Sequence, residues 1–283
     1  MANLARHQVF FFSGTGNSLH VAKELQRRIP QTEVVPVVAA LKGSGLIRTT
    51  GTTVGVVFPL HFFTLPQPVR SFFRRLEPQS AEYLFAIATR GGSGSDACWV
   101  IDKSLKPRRR SLDGFFYIDM MNNQQLVHFE EAAQELLTEN ENAVQNRLDS
   151  ICPKIAAAER MREEGDPEDF VERSLKSMLK MFSLTLGRYL IGSSWYAGPG
   201  CTGCGTCVVV CPSEKIRIQG GRPEWQKEKR CTSCFGCINY CPVQAIQIKR
   251  FESKTRGSGR YHHPEIGPWE IAIQKTTLQE TSQ

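Results

Sequence analysis

The sequence predicts an α/β protein: a doubly wound, five-stranded parallel sheet, then a helical connector, then a small α+β module built on a repeated cysteine pattern. Three observations carry this expectation. Residues 8 to about 120 alternate short β-branched or aromatic runs with helical stretches, the pattern of a parallel sheet covered by helices. Between Asn123 and Tyr196 strand signals vanish while apolar residues recur at helical spacing. Eight of the ten cysteines crowd between Cys201 and Cys241.

Five strands are expected, at Gln8–Ser13, Glu33–Val38, Thr53–Phe58, Glu82–Thr89 and Gly114–Met120. The first four are strongly apolar, as central strands buried on both faces must be. Between the first two, Asn17–Arg28 sets Leu19, Ala22, Leu25 and Ile29 at three- and four-residue steps, so a helix packs there on the sheet. The connector has two apolar helical faces, one at Phe129, Ala132, Ala133, Leu136 and Leu137, the other at Leu175, Met178, Leu179, Phe182, Leu186 and Tyr189. Gly165 and Pro167 in the charged stretch Arg160–Asp169 mark an exposed turn between them. Ile216–Ile218 and Trp225 flank Gly220-Gly221 as a short hairpin, and Gln244–Arg250 reads as a further strand. The expected domains are 1–122, 123–199 for the connector, 200–252 for the cysteine module and 253–283 for an extension whose last ten residues are disordered.

At 283 residues and 31.8 kDa the chain can hold one large core and a smaller module. No stretch reaches the roughly 18 apolar residues of a membrane span; the longest candidate, Leu175–Ile191, is broken by Lys176, Lys180 and Arg188. The apolar run Val9–Phe12 ends in a glycine-bearing loop and lacks the form of a secretory signal, so a cytoplasmic location is expected. Clustered cysteines then point to metal rather than disulfides. The formal charge of +7 suggests a nucleic-acid partner only while the cysteines are counted as neutral. Cysteines that bind metal do so as thiolates, which cancels much of that charge, and no nucleic acid is expected. The basic run Lys106–Arg110 reads as a solvated loop, and Cys98 and Cys152 as packing residues.

The cysteines form C-x2-C-x2-C-x3-C-P twice: Cys201, Cys204, Cys207, Cys211 with Pro212, and Cys231, Cys234, Cys237, Cys241 with Pro242. Three thiolates two residues apart wrap one face of a cubane, while the fourth is directed to the other cluster. Two [4Fe–4S] clusters are therefore expected, one on Cys201, Cys204, Cys207 and Cys241, the other on Cys231, Cys234, Cys237 and Cys211. Structural zinc, the alternative, usually takes two C-x2-C pairs separated by a longer stretch. Gly203, Gly205, Thr206, Thr232, Ser233 and Gly236 keep the loops small enough for backbone N–H groups to approach sulfide.

The first strand runs into Ser13-Gly14-Thr15-Gly16-Asn17-Ser18 and then a helix, so N–H groups and hydroxyls converge on a phosphate site. No lysine follows the glycines, which excludes a Walker loop, and Leu19 replaces the third glycine of the dinucleotide fingerprint. The pattern resembles the FMN phosphate loop of flavodoxins. That fold orders its strands 2-1-3-4-5 and lays the flavin across the carboxyl ends of strands one, three and four. The implied FMN-binding residues are Ser13, Thr15, Gly16, Asn17 and Ser18; Pro59, Leu60, His61, Phe62 and Phe63; and Thr89, Arg90, Gly91, Gly92 and Gly94. Phe62 or Phe63 is placed to stack on the ring, with plain core packing as the alternative, and Arg90 is placed to meet flavin oxygens.

A flavodoxin-like half followed by a paired-cluster half resembles the EFR1 family of flavodoxin–ferredoxin fusion proteins. The resemblance is carried by Phe12–Ser18, the two cysteine motifs and Arg260-Tyr261-His262-His263-Pro264. It implies FMN, two [4Fe–4S] clusters and electron transfer to a redox partner protein. Residues 201–283 hold twelve Lys or Arg against seven Asp or Glu, so that partner is expected to offer an acidic docking surface. The alternative function is a flavin-dependent reductase acting on a diffusible substrate, with the clusters as its electron entry. A third reading uses the folds for binding or assembly without redox traffic. The sequence leaves the oligomeric state open.

Overall fold

The computed structural model describes residues 6–92, 95–124, 130, 132–163, 192 and 194–276. In chain order the first strands are β1 (His7–Phe11), β2 (Thr32–Pro36), β3 (Ile47–Arg48), β4 (Thr53–Pro59), β5 (Leu76–Glu77), β6 (Tyr83–Arg90) and β7 (Gly114–Asp119). The main sheet runs β2-β1-β4-β6-β7, all pairs parallel. Its members are the five expected strands, each within two residues of its expected bounds, in the order 2-1-3-4-5. β3 and β5 form a separate two-residue pair.

Helices cover both faces because alternate strand residues point to opposite sides. Phe10, Phe12, Val54, Val56 and Phe58 meet Phe72 and Phe73 of α3 (Gln67–Arg75) and Ile101 and Leu105 of α4 (Ala97–Leu105); the one-turn α2 (Val37–Ala40) lies between β2 and β3. Val9, Phe11, Val57 and Ile87 meet Leu19, Val21, Ala22 and Leu25 of α1 (Asn17–Arg28). Each phenylalanine buried this way stabilises the fold by about 1.5–3 kcal/mol relative to exposure. The expected first helix has the bounds of α1, and Leu19, Ala22 and Leu25 of its expected face are buried together with Val21, while Ile29 is buried just beyond its end.

The connector departs from expectation. Its helix, α5, spans Gln134–Ala156 and buries Val144, Leu148, Ile151, Cys152 and Ile155, not the face at Ala132–Leu137; Leu136 is 48% exposed. Periodicity marked a stripe, but the surface that α1 and the sheet offer meets only the later turns. Beyond α5, the Phe115 N–H donates to the Met161 carbonyl and the Glu163 N–H donates to the Phe115 carbonyl, both at 2.9 Å. These bonds cover the edge of β7 that an open sheet would leave unpaired. Phe129 and the second face, 175–189, lie outside the described residues.

The cysteine module holds β8 (Trp195–Ala197), α6 (Thr206–Val209), β9 (Ile216–Gln219), β10 (Arg222–Trp225), α7 (Gly236–Asn239) and β11 (Ile246–Ile248). β9 and β10 form the expected hairpin, and β11 pairs antiparallel with β8. Trp195, Ile216, Phe235, Ile238, Ile246 and Ile248 make its core. The extension then folds back through α8 (Glu252–Thr255) and α9 (Pro268–Ala272). Ile266 and Ile271 enter the core shared by α1 and α5, and Gln274 is fully buried. Of the last ten residues, Gln274–Thr276 are thus ordered against the protein, while 277–283 lie outside the described residues. Among the described residues no helix is long and apolar enough to cross a membrane.

Candidate functional site

At the carboxyl end of the sheet lies a cleft of about 900 Å³, counting the open solvent at its mouth. It gathers residues from the ends of β1, β4, β6 and β7, the position where ligands of open α/β sheets bind. Of the expected residues, Ser13, Thr15, Asn17, Ser18, Pro59, Leu60, His61, Phe62, Phe63, Thr89, Arg90 and Gly91 line it. Gly16 lies behind the wall, where an added Cβ would meet His263 and Ile266. Gly92 is not among the lining residues, and Gly94 lies outside the described ones.

The glycine loop is braced from several sides. The Gly16 N–H donates to Ser13 Oγ at 3.1 Å, Ser18 Oγ and Thr89 Oγ1 are 2.8 Å apart, and Asn123 Nδ2 donates to Thr15 Oγ1. The first N–H groups of α1 have no intrahelical acceptor and face the loop. Among the described lining residues there is no carboxylate, so nothing there repels an anion. Arg90 is turned away from a free role: its Nε donates to Asp119 Oδ1 at 2.7 Å and its guanidinium lies 4.0 Å over the Tyr117 ring.

The loop after β4 is the strained part. His61 and Thr64 exchange backbone hydrogen bonds of 3.0 and 3.2 Å around Phe62 and Phe63, whose φ angles are 54° and 62°. Two consecutive left-handed residues make a tight turn that normally takes Asn-Gly, and bulky residues there cost about 1–2 kcal/mol each. The cost places Phe63, 54% exposed, at the cleft mouth and packs Phe62 against the core of the cysteine module.

One wall of the cleft is the second cysteine loop itself, through Cys234 and Phe235. The approach is close: a Cβ on Gly14 would sit 2.3 Å from the Cys234 carbonyl oxygen, and a Cβ on Gly236 would sit 2.7 Å from the Gly14 carbonyl oxygen. Asn239 Nδ2 adds a bond of 3.0 Å to the Asn123 carbonyl.

The ten cysteines are free of disulfides. Cys201, Cys204, Cys207 and Cys241 line one hollow, with Ile218, Pro223, Pro242 and Val243 around it, and Cys211 is not among them. Burial, then repulsion from Cys204 and Cys241, pushes the Cys207 thiol up to about 12. Cys211 instead crowds the second loop. Burial first, with Cys211 among the repelling neighbours, pushes Cys231 and Cys237 up and Cys234 to about 12. Thiols packed this tightly call for a cation that makes them thiolates. Backbone N–H groups already point at sulfur: Lys215 to Cys211 at 3.4 Å, Ser233 to Cys231 at 3.4 Å and Ala245 to Cys241 at 3.2 Å. The Ser233 hydroxyl is buried and has no hydrogen-bond partner among the described residues, which fits a donor to a cluster sulfide. Lys215, 6% exposed, puts a positive charge near Cys231.

The extension holds the glycine loop from behind. The Ser13 N–H donates to Gln274 Oε1 at 3.3 Å while Gln274 Nε2 donates to the Ser13 carbonyl at 2.8 Å. The His263 N–H donates to the Thr15 carbonyl at 2.8 Å. The His263 ring stacks on His20 of α1 at 3.9 Å, and Glu141 of α5 accepts from both, at 3.0 Å from His20 and 3.4 Å from His263. Burial, then His20, holds His263 down to about 4. Burial pushes Glu141 up, but Gln145 and the two imidazoles outweigh it and hold the carboxyl below its ordinary range.

Sequence reasoning missed Gly14, Met121, Asn122, Asn123, Gln124, Cys234 and Phe235 as lining residues. Residues 121–124 follow the fifth strand, and the rule that ligands sit beyond strand ends was a usable signal for them. No local signal marked Cys234, Phe235 or Gln274.

Residues 200–254 match the family described as the 4Fe-4S dicluster domain. No curated protein matches the chain. Among solved structures, rubredoxin oxygen:oxidoreductase of the anaerobe Desulfovibrio gigas aligns over 54% of this chain and 36% of its own, at 13% identity and a TM-score of 0.29. The match spans about a third of that protein, and a score this low carries no argument about the cleft. The chain joins a doubly wound, five-stranded parallel sheet of order β2-β1-β4-β6-β7 to a ferredoxin-like 4Fe-4S dicluster domain, a unit of electron transfer.

Proposed function

We propose that this is a flavodoxin–ferredoxin fusion that binds FMN in the cleft and passes electrons between it, two [4Fe–4S] clusters and a redox partner protein. The observation that carries the reading is the shared wall: Cys234 and Phe235 of the second cysteine loop line the same cleft as the glycine loop. The donor set fits a flavin phosphate, with hydroxyls and a helix start but no carboxylate among the lining residues. FMN supplies a centre able to exchange one or two electrons, matched to clusters that exchange one.

The chain's own residues have separable tasks. Cys201, Cys204, Cys207 and Cys241 hold one cluster, and Cys231, Cys234, Cys237 and Cys211 the other. Ser13, Thr15, Asn17 and Ser18 receive the phosphate. Phe62 and Phe63 form the side wall, with Phe62 bridging to the cysteine module, and Gln274 and His263 fix the loop position. Arg90, committed to Asp119 and Tyr117, shapes the wall through Tyr117. The test is an anaerobic reductive titration followed by absorbance and EPR, with iron, sulfide and flavin measured on the same sample. About eight irons and one FMN per chain, with both kinds of centre reducible, support the proposal. Zinc in place of iron, or no flavin, would overturn it.

A further inference from the structure

The two cysteine motifs continue alike past their last ligand, as Cys211-Pro212-Ser213-Glu214-Lys215-Ile216 in the first and Cys241-Pro242-Val243-Gln244-Ala245-Ile246 in the second. The backbones correspond as well. Glu214 and Gln244 are both left-handed, at φ 50° and 48°. The next N–H donates to the ligand sulfur, from Lys215 to Cys211 at 3.4 Å and from Ala245 to Cys241 at 3.2 Å. The side chains then part, since a buried lysine stands in the first motif where the second has alanine.

Lys215 is buried without a carboxylate. Its Nζ donates to the carbonyls of Gln226 and Lys229, at 2.5 Å each. Among the described residues no Asp or Glu forms an ion pair with it; Glu214, its exposed neighbour, pairs with Lys229 at 3.7 Å. Carbonyl dipoles alone seldom offset the burial of an ammonium, whereas a nearby anion does. The second ligand set provides that anion. The Lys215 N–H reaches Cys211, Lys229 leads in two residues to Cys231, and the lysine charge opposes the burial that first pushes the Cys231 thiol up. The indole N–H of Trp195, buried with no hydrogen bond of ordinary length among the described residues, is turned to the same sulfur.

The two ligand sets need such a charge unequally. Cys204 of the first set is exposed, whereas none of Cys211, Cys231, Cys234 and Cys237 is. Reduction adds one negative charge to a cluster already negative on its four thiolates, and a site shut from water disfavours that charge. Lys275 stands near Cys211 and Arg260 near Cys241, and both are partly exposed. Of these three cations Lys215 alone is buried, where its field is least screened. We propose that Lys215 is the tuning charge of the second cluster: it raises the reduction potential of the set Cys231, Cys234, Cys237 and Cys211, so that the cluster at the cleft wall accepts an electron despite its burial. The assignment rests on the electron-transfer reading above. The electron comes from the first cluster, the flavin or the redox partner, and no bond is made or broken.

The test is an anaerobic potentiometric titration of the holoprotein with dithionite and mediators, read by EPR and absorbance. The cluster signal that survives in Cys204→Ala belongs to the second cluster. Lys215→Gln and Lys215→Met should each make that cluster about tenfold harder to reduce, a fall of about 59 mV for one electron. The first cluster and the FMN should stay within about twofold of the parent. Lys215→Arg keeps the charge and should leave the second cluster within about threefold of the parent, while Trp195→Phe should make the same cluster about threefold harder to reduce. The assignment is overturned if both charge-removing variants leave the second cluster within about twofold of the parent, or if the two clusters move together. If both variants lose the second cluster, Lys215 braces the fold instead, and the assignment fails. Zinc in place of iron, or a parent without flavin, overturns the electron-transfer reading itself, so the two failures are told apart.

Discussion

In the first cysteine loop the left-handed positions are taken by Gly203 (φ 71°) and Gly205 (φ 80°), while in the second the matching positions are Ser233 (φ 53°) and Phe235 (φ 57°). The backbone is the same, since both loops must aim N–H groups at sulfur, but the side chains differ with location. Nothing lies within 4 Å of a Cβ added at Gly205, and its loop opens outward. Phe235 accepts a strained conformation, is 5% exposed, and fills the space between the cleft and the core of the cysteine module. The next position reverses the pattern. Thr206 of the first loop becomes Gly236 in the second because the Gly14 carbonyl leaves no room for a Cβ. A duplicated ligand set thus supplies two similar sites, and the residues between the ligands assign one inward and one outward.

Removing one ligand from each loop separates the two sites most strongly. Cys234→Ala and Cys204→Ala should each cost about four irons per chain, measured by iron and sulfide analysis. Only Cys234→Ala should also abolish flavin–cluster exchange. Next in size, Gly14→Ala and Gly236→Ala force backbone apart at the shared wall and should cost about 2–4 kcal/mol in chemical denaturation. Gly205→Ala, strained by its φ but unobstructed, should cost about 1 kcal/mol. Similar costs for Gly236 and Gly205 would dissolve the distinction between the loops.

Gln274→Ala removes a two-point clasp on buried backbone and should cost about 1–3 kcal/mol, with FMN binding weakened in fluorescence titration. Replacing Phe62-Phe63 by Asn-Gly relieves two left-handed aromatic residues and should stabilise the chain by about 1 kcal/mol while lowering FMN affinity. The smallest effect at neutral pH is expected for His263→Gln. With His263 held down to about 4 in the folded chain, the unfolded chain binds its proton first. The parent therefore keeps its full stability above about pH 6.5 and loses it as pH falls toward 4. Thermal unfolding against pH should show a shallower acid limb in the variant.

How much of this was legible in the sequence follows from the range of the interactions. Helix Asn17–Arg28 declares itself through Leu19, Ala22, Leu25 and Ile29 because its buried face is a local periodicity. The strands declare themselves because both faces are covered, and the cysteine spacing is local by nature. β8, three residues long, exists through pairing with β11 about fifty residues on. Gln274 reads as an ordinary polar residue until the chain returns it to Ser13. Gly14 looks like part of a phosphate turn, yet the atom that requires it to be glycine belongs to Cys234. Arg90 reads from the sequence as a partner for flavin oxygens and lines the cleft, but its bond to Asp119, the neighbour across the strands, joins residues far apart in sequence and is not legible there.

The account's central claim is that the cleft and the second cysteine loop are wired within one chain. Its most direct test is flash reduction of the bound flavin with photoexcited deazaflavin, following flavin and cluster absorbance together at several protein concentrations. A first-order bleaching of the clusters that matches flavin reoxidation and does not change with protein concentration is the expected result. A rate that scales with concentration, or clusters that stay oxidised while the flavin remains reduced, would contradict it.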